Sequence, residues 1–217
     1  MAWSRHRAIA AVGPPPYDHG MSLLPLIFTA GWASGINAYA VVLLLGLFGL
    51  TGLSDDVPEG LQRTDVLIAA GVLFVIELVA DKIPYLDSFW DSIHTVIRPA
   101  SGAVVAALIA GSDESLTTLT AAAVGGTTAL VSHLVKAGLR AAINTSPEPA
   151  SNIAVSTAED VGVAGVVTLA IFYPVAAAAI AALLLAIGLW LIYLLGARIQ
   201  RYRRRRRERK ATGNRAV

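Results

Sequence analysis

The sequence has no cysteine among its 217 residues. Disulfides, thiolate metal sites, iron–sulfur clusters and cysteine nucleophiles are excluded together. Charge is scarce as well: 15% of residues are Asp, Glu, Lys or Arg, while 55% are hydrophobic. Soluble domains run near a quarter charged and disordered chains are polar, so neither class describes most of this chain. The four histidines, His6, His19, His94 and His133, form no closely spaced metal-ligand pair. No phosphate loop or dinucleotide fingerprint occurs, and no cofactor is implied. Ser34-Gly35 and Ser101-Gly102 are the nearest approach to an intramembrane serine protease, but Trp32 stands where that motif needs glycine. No catalytic residue is assigned, and the sequence does not read as an enzyme.

What is present is unevenly distributed. Residues 198–217 carry ten Lys/Arg against Glu208, a net +9, which leaves −7 for residues 1–197 and +2 overall. Residues 1–20, with Arg5, Arg7 and Pro14-Pro15-Pro16, read as a disordered extension, and Met21 is an alternative start. Residues 21–200 read as a transmembrane helical domain and residues 201–217 as a basic cytoplasmic tail. Within the domain, residues 21–53 are uncharged, long enough for a span of about 20 residues. Their small residues around Gly31 and Gly35 suit close helix contact or a break in the helix. Further apolar segments cover 66–80, 99–111, 116–143, 161–173 and 175–197. The segments at 99–111 and 161–173 have only 13 residues each, about 20 Å of helix. Each follows a polar helical stretch, 85–98 and 152–160. Either those stretches are interfacial helices or the wet halves of longer spans, and the short segments are candidates for re-entrant or half-helices.

Six crossings would put both termini on one side. Arg5, Arg7, Lys82, Arg98, Lys136, Arg140 and the tail then share that side, 16 of the 17 Lys/Arg, with Arg63 opposite. That bias predicts both termini in the cytoplasm, in a bacterial-type plasma (inner) membrane. Arg203, Arg204, Arg205, Arg206 and Arg207 read as a lipid-surface anchor, each worth about 1 kcal/mol beside anionic headgroups. Tyr202 is the tail's one aromatic residue, so nucleic acid is not expected as a partner. Oligomeric state is not legible.

Ionisable residues inside spans are costly and need a partner or a task. Glu77 and Asp81 lie four apart; His133, Lys136 and Arg140 lie three and four apart at matching depth, which predicts contact between their helices. Arg98 precedes Pro99, and Glu159-Asp160 open the segment at 161–173. Two readings follow. In the first, the protein is a transporter or channel-like protein, and Arg98, Lys136 and Arg140, helped by Asn37, Asn144, Ser146 and Asn152, bind a small polar or anionic solute or a lipid phosphate. Glu77, Asp81, His133, Glu159 and Asp160 then couple protons or ions to its transport. In the second, the charges only lock the helices of a scaffold and the tail recruits anionic lipid or partners.

The run Gly31-Trp32-Ala33-Ser34-Gly35-Ile36-Asn37-Ala38-Tyr39 resembles the opening of the integral membrane family known as domain of unknown function (DUF) 4126. The resemblance continues through Glu77, Asp81-Lys82-Ile83-Pro84, Asp87, Trp90-Asp91, Arg98-Pro99 and Gly102. It ends with His133, Lys136, Arg140, Asn144, Ser146-Pro147-Glu148-Pro149, Asn152, Ser156 and Glu159-Asp160. It covers about residues 21–197 and implies an all-α polytopic membrane bundle of about six hydrophobic segments. It implies no mechanism.

Overall fold

The computed structural model describes residues 19–55, 57–111, 115–145 and 148–213, without the side chains of 19–22, 115–116 and 206–213. Seven helices follow in order: α1 (His19–Leu50), α2 (Glu59–Gln62), α3 (Thr64–Ala80), α4 (Leu86–Ala110), α5 (Ser115–Ile143), α6 (Pro149–Phe172) and α7 (Pro174–Gly213). Their ends follow from local chemistry. Pro149 and Pro174 stand at the first positions of α6 and α7, where the missing N–H costs nothing. Gly111, at φ 77°, closes α4 in a left-handed conformation that a side chain would resist. Five helices are long and apolar enough to cross a membrane: α1, α4, α5, α6 and α7. α3 has 17 residues, about 25 Å at 1.5 Å per residue, and exposes Ile68, Val72, Val75 and Val79 along its apolar surface.

The two short apolar segments are not separate elements. Residues 99–111 complete α4, a continuous helix of 25 residues through Pro99. Residues 161–173 complete α6, with 24 residues. Each helix is long enough for the hydrocarbon layer, and the polar face of the preceding stretch turns inward: Asp87, Asp91, His94 and Arg98 on α4 and Asn152 and Ser156 on α6 are buried. Proline is tolerated inside α4 because neighbouring groups in a membrane bundle can satisfy the freed carbonyl.

The discontinuity is in α1. At Asn37 the backbone leaves the helix (φ −151°, ψ 94°). A straight helix would hold Leu23 and Leu45 roughly 33 Å apart, yet both line one cavity of about 280 Å³ together with Ile109 and Ala170. Neighbours along each arm give the directions. Gly31 lies against Gly125, and Gly35 against Ala129 and Ser132, so the first arm runs parallel to α5. Leu43 reaches Gly71, Gly46 meets Leu67 and Gly49 meets Gln62, so the second arm runs antiparallel to α3. The C-terminal ends of α3 and α5 share one end of the bundle, where Lys136 meets Asp81. The two arms therefore form a re-entrant V with its tip at Asn37.

This revises the expected topology. α3 to α7 run alternately along the bundle from end to end, and α1 enters and returns. Residue 19 and the end of α7 lie at opposite ends of the bundle, where six full crossings would put them at the same end. Hydropathy could not see this, because an uncharged run serves a crossing and a hairpin equally. The V is the centre of the fold. It packs against α3, α4, α5, α6 and α7 and buries Ala33, Val41 and Leu45. Close approach is possible because a Cβ on Gly31 would stand 2.7 Å from the Gly125 carbonyl oxygen, so only glycine lets these backbones touch.

The N-terminal extension expected over 1–20 falls almost wholly outside the described residues. The basic tail is helical as far as Gly213. It continues α7, a 40-residue helix about 60 Å long, twice the hydrocarbon thickness.

Candidate functional site

Helical spacing assembles the site before any tertiary contact is made. Asp87, Asp91, His94 and Arg98 follow one another at four, three and four residues on α4, so they share a face. His133, Lys136, Arg140 and Asn144 do the same on α5. Asn152, Ser156 and Glu159 do so on α6, and α3 ends in Glu77 and Asp81. These faces meet at the tip of the α1 hairpin, and all of these residues except Glu159 are buried.

Nine ion pairs join four cations to six carboxylates. Arg98 reaches Glu77 at 2.5 Å and Asp91 at 3.0 Å. Lys136 reaches Asp81 at 2.5 Å, with Glu77 at 3.7 Å and Glu159 at 3.8 Å. Arg140 binds Glu159 at 2.6 Å and lies 3.7 Å from Asp87 and 3.8 Å from Asp81. Lys82 lies 3.5 Å from Asp160. Buried ions need this density of partners because desolvation of an isolated charge costs several kcal/mol or more. The balance is still uneven. Glu77 Oε2, Asp81 Oδ1 and Asp91 Oδ2 are buried with no hydrogen-bond partner among the described residues.

The cations also hold the hairpin tip. A helix end leaves its last carbonyls unpaired, and hydrocarbon offers no water to satisfy them. Lys136 Nζ donates to the Ile36 carbonyl at 2.9 Å and Arg98 Nη1 to that of Gly35 at 3.4 Å. Ser132 Oγ donates to the Trp32 carbonyl at 2.7 Å. Positive charge there also complements the negative end of the first arm's dipole. The second arm begins with a cap: Asn37 Oδ1 accepts the Ala40 N–H at 2.9 Å. Asn37 Nδ2 donates to Asp160 at 3.3 Å. Arg140 donates to the Asp81 carbonyl at 2.9 Å, closing the end of α3, and to Asn152 Oδ1 at 2.9 Å.

Both histidines are committed. Arg98 can only donate, so His133 Nδ1 accepts at 2.9 Å, and its Nε2 carries the proton toward Thr95 at 3.1 Å. The Trp90 carbonyl can only accept, so His94 Nδ1 carries its proton, and Nε2 accepts from Tyr39 at 3.0 Å. A second proton on His133 would point at the Arg98 guanidinium. In this arrangement both nitrogens of His133 are engaged, one with Arg98 and one with Thr95. Neither ring is bonded to Ser34 or Ser101, and the Ser34 hydroxyl is buried without a partner among the described residues.

Of the residues expected at the site, Asn37, Glu77, Asp81, Arg98, His133, Lys136, Arg140, Asn152, Glu159 and Asp160 come together here. Asn144 lies one step further out, donating to Asp87 at 2.8 Å and to Ser88. Ser146 lies outside the described residues. Arg203, Arg204 and Arg205 stand exposed on α7, far along the chain from this cluster, and the side chains of Arg206 and Arg207 lie outside the description. Sequence reasoning left Asp87, Asp91, His94 and Tyr39 out of the site. The signal for three of them lies in the face shared with Arg98, a polar stripe that in sequence looks the same whether it turns to water or to a buried partner.

An apolar groove of about 320 Å³ lies between α5, α6 and α7, backed by Trp32 and Ile36 of α1, with Lys136 and Glu159 in its lining. Glu159, 17% exposed in its side chain, borders it, whereas Glu77 is fully buried.

A family model described as a domain of unknown function (DUF4126) matches residues 24–193. No curated protein and no solved structure matches the chain. That match takes in the hairpin, the ion-pair network and the groove, and the chain belongs to the DUF4126 family.

Proposed function

We propose that this membrane protein is a proton-coupled transporter for a small polar or anionic solute, with the ion-pair network as its coupling site. The observation that carries the proposal is the surplus of carboxylates. Six acids against four cations leave two negative charges too many in a network that is buried except at Lys82, Glu159 and Asp160. Protons are the simplest counter-charge, and Glu77 and Asp91 each have a bare oxygen to receive one. Every cation already holds a carboxylate, so an incoming anion must replace one. The displaced carboxylate then takes up a proton, and that exchange couples the two flows. The broken helix supports the same reading, since discontinuous helices at membrane depth are where many transporters bind substrate. The basic end of the bundle, with Lys82 and the tail, is taken to face the cytoplasm of a cell with a bacterial-type plasma membrane.

The scaffold reading has one observation in its favour: the charges form compact pairs rather than lining an open polar cavity. A lock between helices, however, has no use for two unmatched acids. Proteoliposomes containing a pH-sensitive dye separate the two. Addition of inorganic phosphate or small carboxylates should drive protein-dependent proton movement, and Glu77→Gln should lower its rate at least tenfold while the protein still elutes as a single species. A panel of such solutes that moves no protons in the wild type would leave the scaffold.

A further inference from the structure

We propose that the groove between α5, α6 and α7 binds an anionic membrane lipid. One apolar chain lies in the groove, and the headgroup takes the place of the Glu159 carboxylate against Lys136 and Arg140. The proposal rests on the transport reading in one respect, that the network is a site and not a lock, and it names a substrate class for it.

The groove is a gap that the fold keeps open. α5 and α6 scarcely touch. Elsewhere the glycines of this region serve contact: Gly188 packs on Val135, and a Cβ on Gly138 would meet the Ile192 side chain at 2.7 Å. Gly162, which lines the groove, has nothing within 4 Å of where its Cβ would stand. Its small size therefore leaves room instead of admitting a neighbour. At about 320 Å³ the space falls at the lower end of the ~300–1,000 Å³ typical of small-molecule sites. Its walls include Val135, Leu139, Val155, Leu184 and Leu191, and they face the membrane, so an apolar chain reaches it laterally without crossing water.

The floor selects the headgroup. Glu159 Oε2 stands 2.6 Å from Arg140 and 3.8 Å from Lys136, an acidic oxygen between two cations. Lys136 and Glu159 line the groove, and Arg140 stands behind Glu159. Glu159 is the carboxylate best placed to yield, because the network already has acids to spare. When it takes a proton and turns aside, the headgroup restores the charge it gave up. Lys136 keeps Asp81 at 2.5 Å throughout the exchange, so the headgroup chiefly replaces the partner of Arg140.

The test uses the full-length protein, incubated with mixed vesicles of phosphatidic acid and phosphatidylcholine of equal chain length, extracted in mild detergent and examined by native mass spectrometry. Phosphatidic acid should be retained at least tenfold over phosphatidylcholine. Gly162→Leu or Ala158→Leu, each filling the groove from an open position, should abolish that preference. Glu159→Gln should raise retention several-fold by removing the competing anion. Replacing Arg203, Arg204 and Arg205 with Gln should leave the preference intact. Equal retention of the two lipids overturns the proposal. So does a preference that survives both groove-filling variants and disappears with the tail substitutions. Lipid retained as expected by a protein that moves no protons would defeat the transport reading alone. Proton-coupled flux unaffected by Gly162→Leu, without lipid preference, would defeat the groove alone.

Discussion

Arg98 shows how much one side chain can carry in this bundle. Its guanidinium holds Glu77 and Asp91, fixes the tautomer of His133 and caps the Gly35 carbonyl. Removing it strands two carboxylates in a dry interior, a loss of about 3–5 kcal/mol for a broken buried ion pair. Arg98→Met should therefore lower the melting temperature in detergent by more than about 6 °C. Arg98→Met with Glu77→Leu should recover part of that loss, since the stranded acid is gone as well. A single variant as stable as the wild type would mean that the carboxylates around it are already neutral. Asn37→Ala is a milder change, costing about 1 kcal/mol for the lost cap, and should show as a smaller shift in the same measurement.

At the scale of elements, the glycines divide into two kinds, and the division can be checked. Gly31→Ala forces a Cβ against a backbone oxygen of α5 that cannot move aside, whereas Gly162→Ala enters open space. The first should disperse the protein on size exclusion and the second should leave it monodisperse; equal behaviour would disprove the close seat of the hairpin on α5. These two positions also mark what the sequence could and could not disclose. Glu77 with Asp81, and His133 with Lys136 and Arg140, were legible as opposite charges at equal depth, because helical period and burial cost act locally. The unity of α4 was not, because Arg98 and Asp91 break the apolar window that a hydropathy reading needs. The break at Asn37 was legible only as a cluster of small residues around Gly31 and Gly35. Its direction depends on which helices flank each arm, and that is a tertiary fact.

For the whole molecule, the hairpin sets the sidedness. We infer five passes and one re-entrant element, which put residue 19 and the basic end of α7 on opposite faces. Paired topology reporters should read accordingly: one at the C-terminus active only inside the cell, one ahead of residue 21 active only outside. Two reporters active on the same side would restore a sixth crossing. The same architecture gives α7 a mechanical character. Leu184, Ile187 and Leu191 form one wall of the groove, and Gly138 meets Ile192 just beyond it. The helix then runs unbroken to Gly213, an outer arm of roughly 32 Å from that contact. A rod pivoted there is a lever: a tilt of about 10° at the groove carries its far end through about 5 Å on this helical rise. The charged segment that the composition first singles out would then serve as a pointer as well as an anchor, with its position outside the membrane registering whether the groove within is filled.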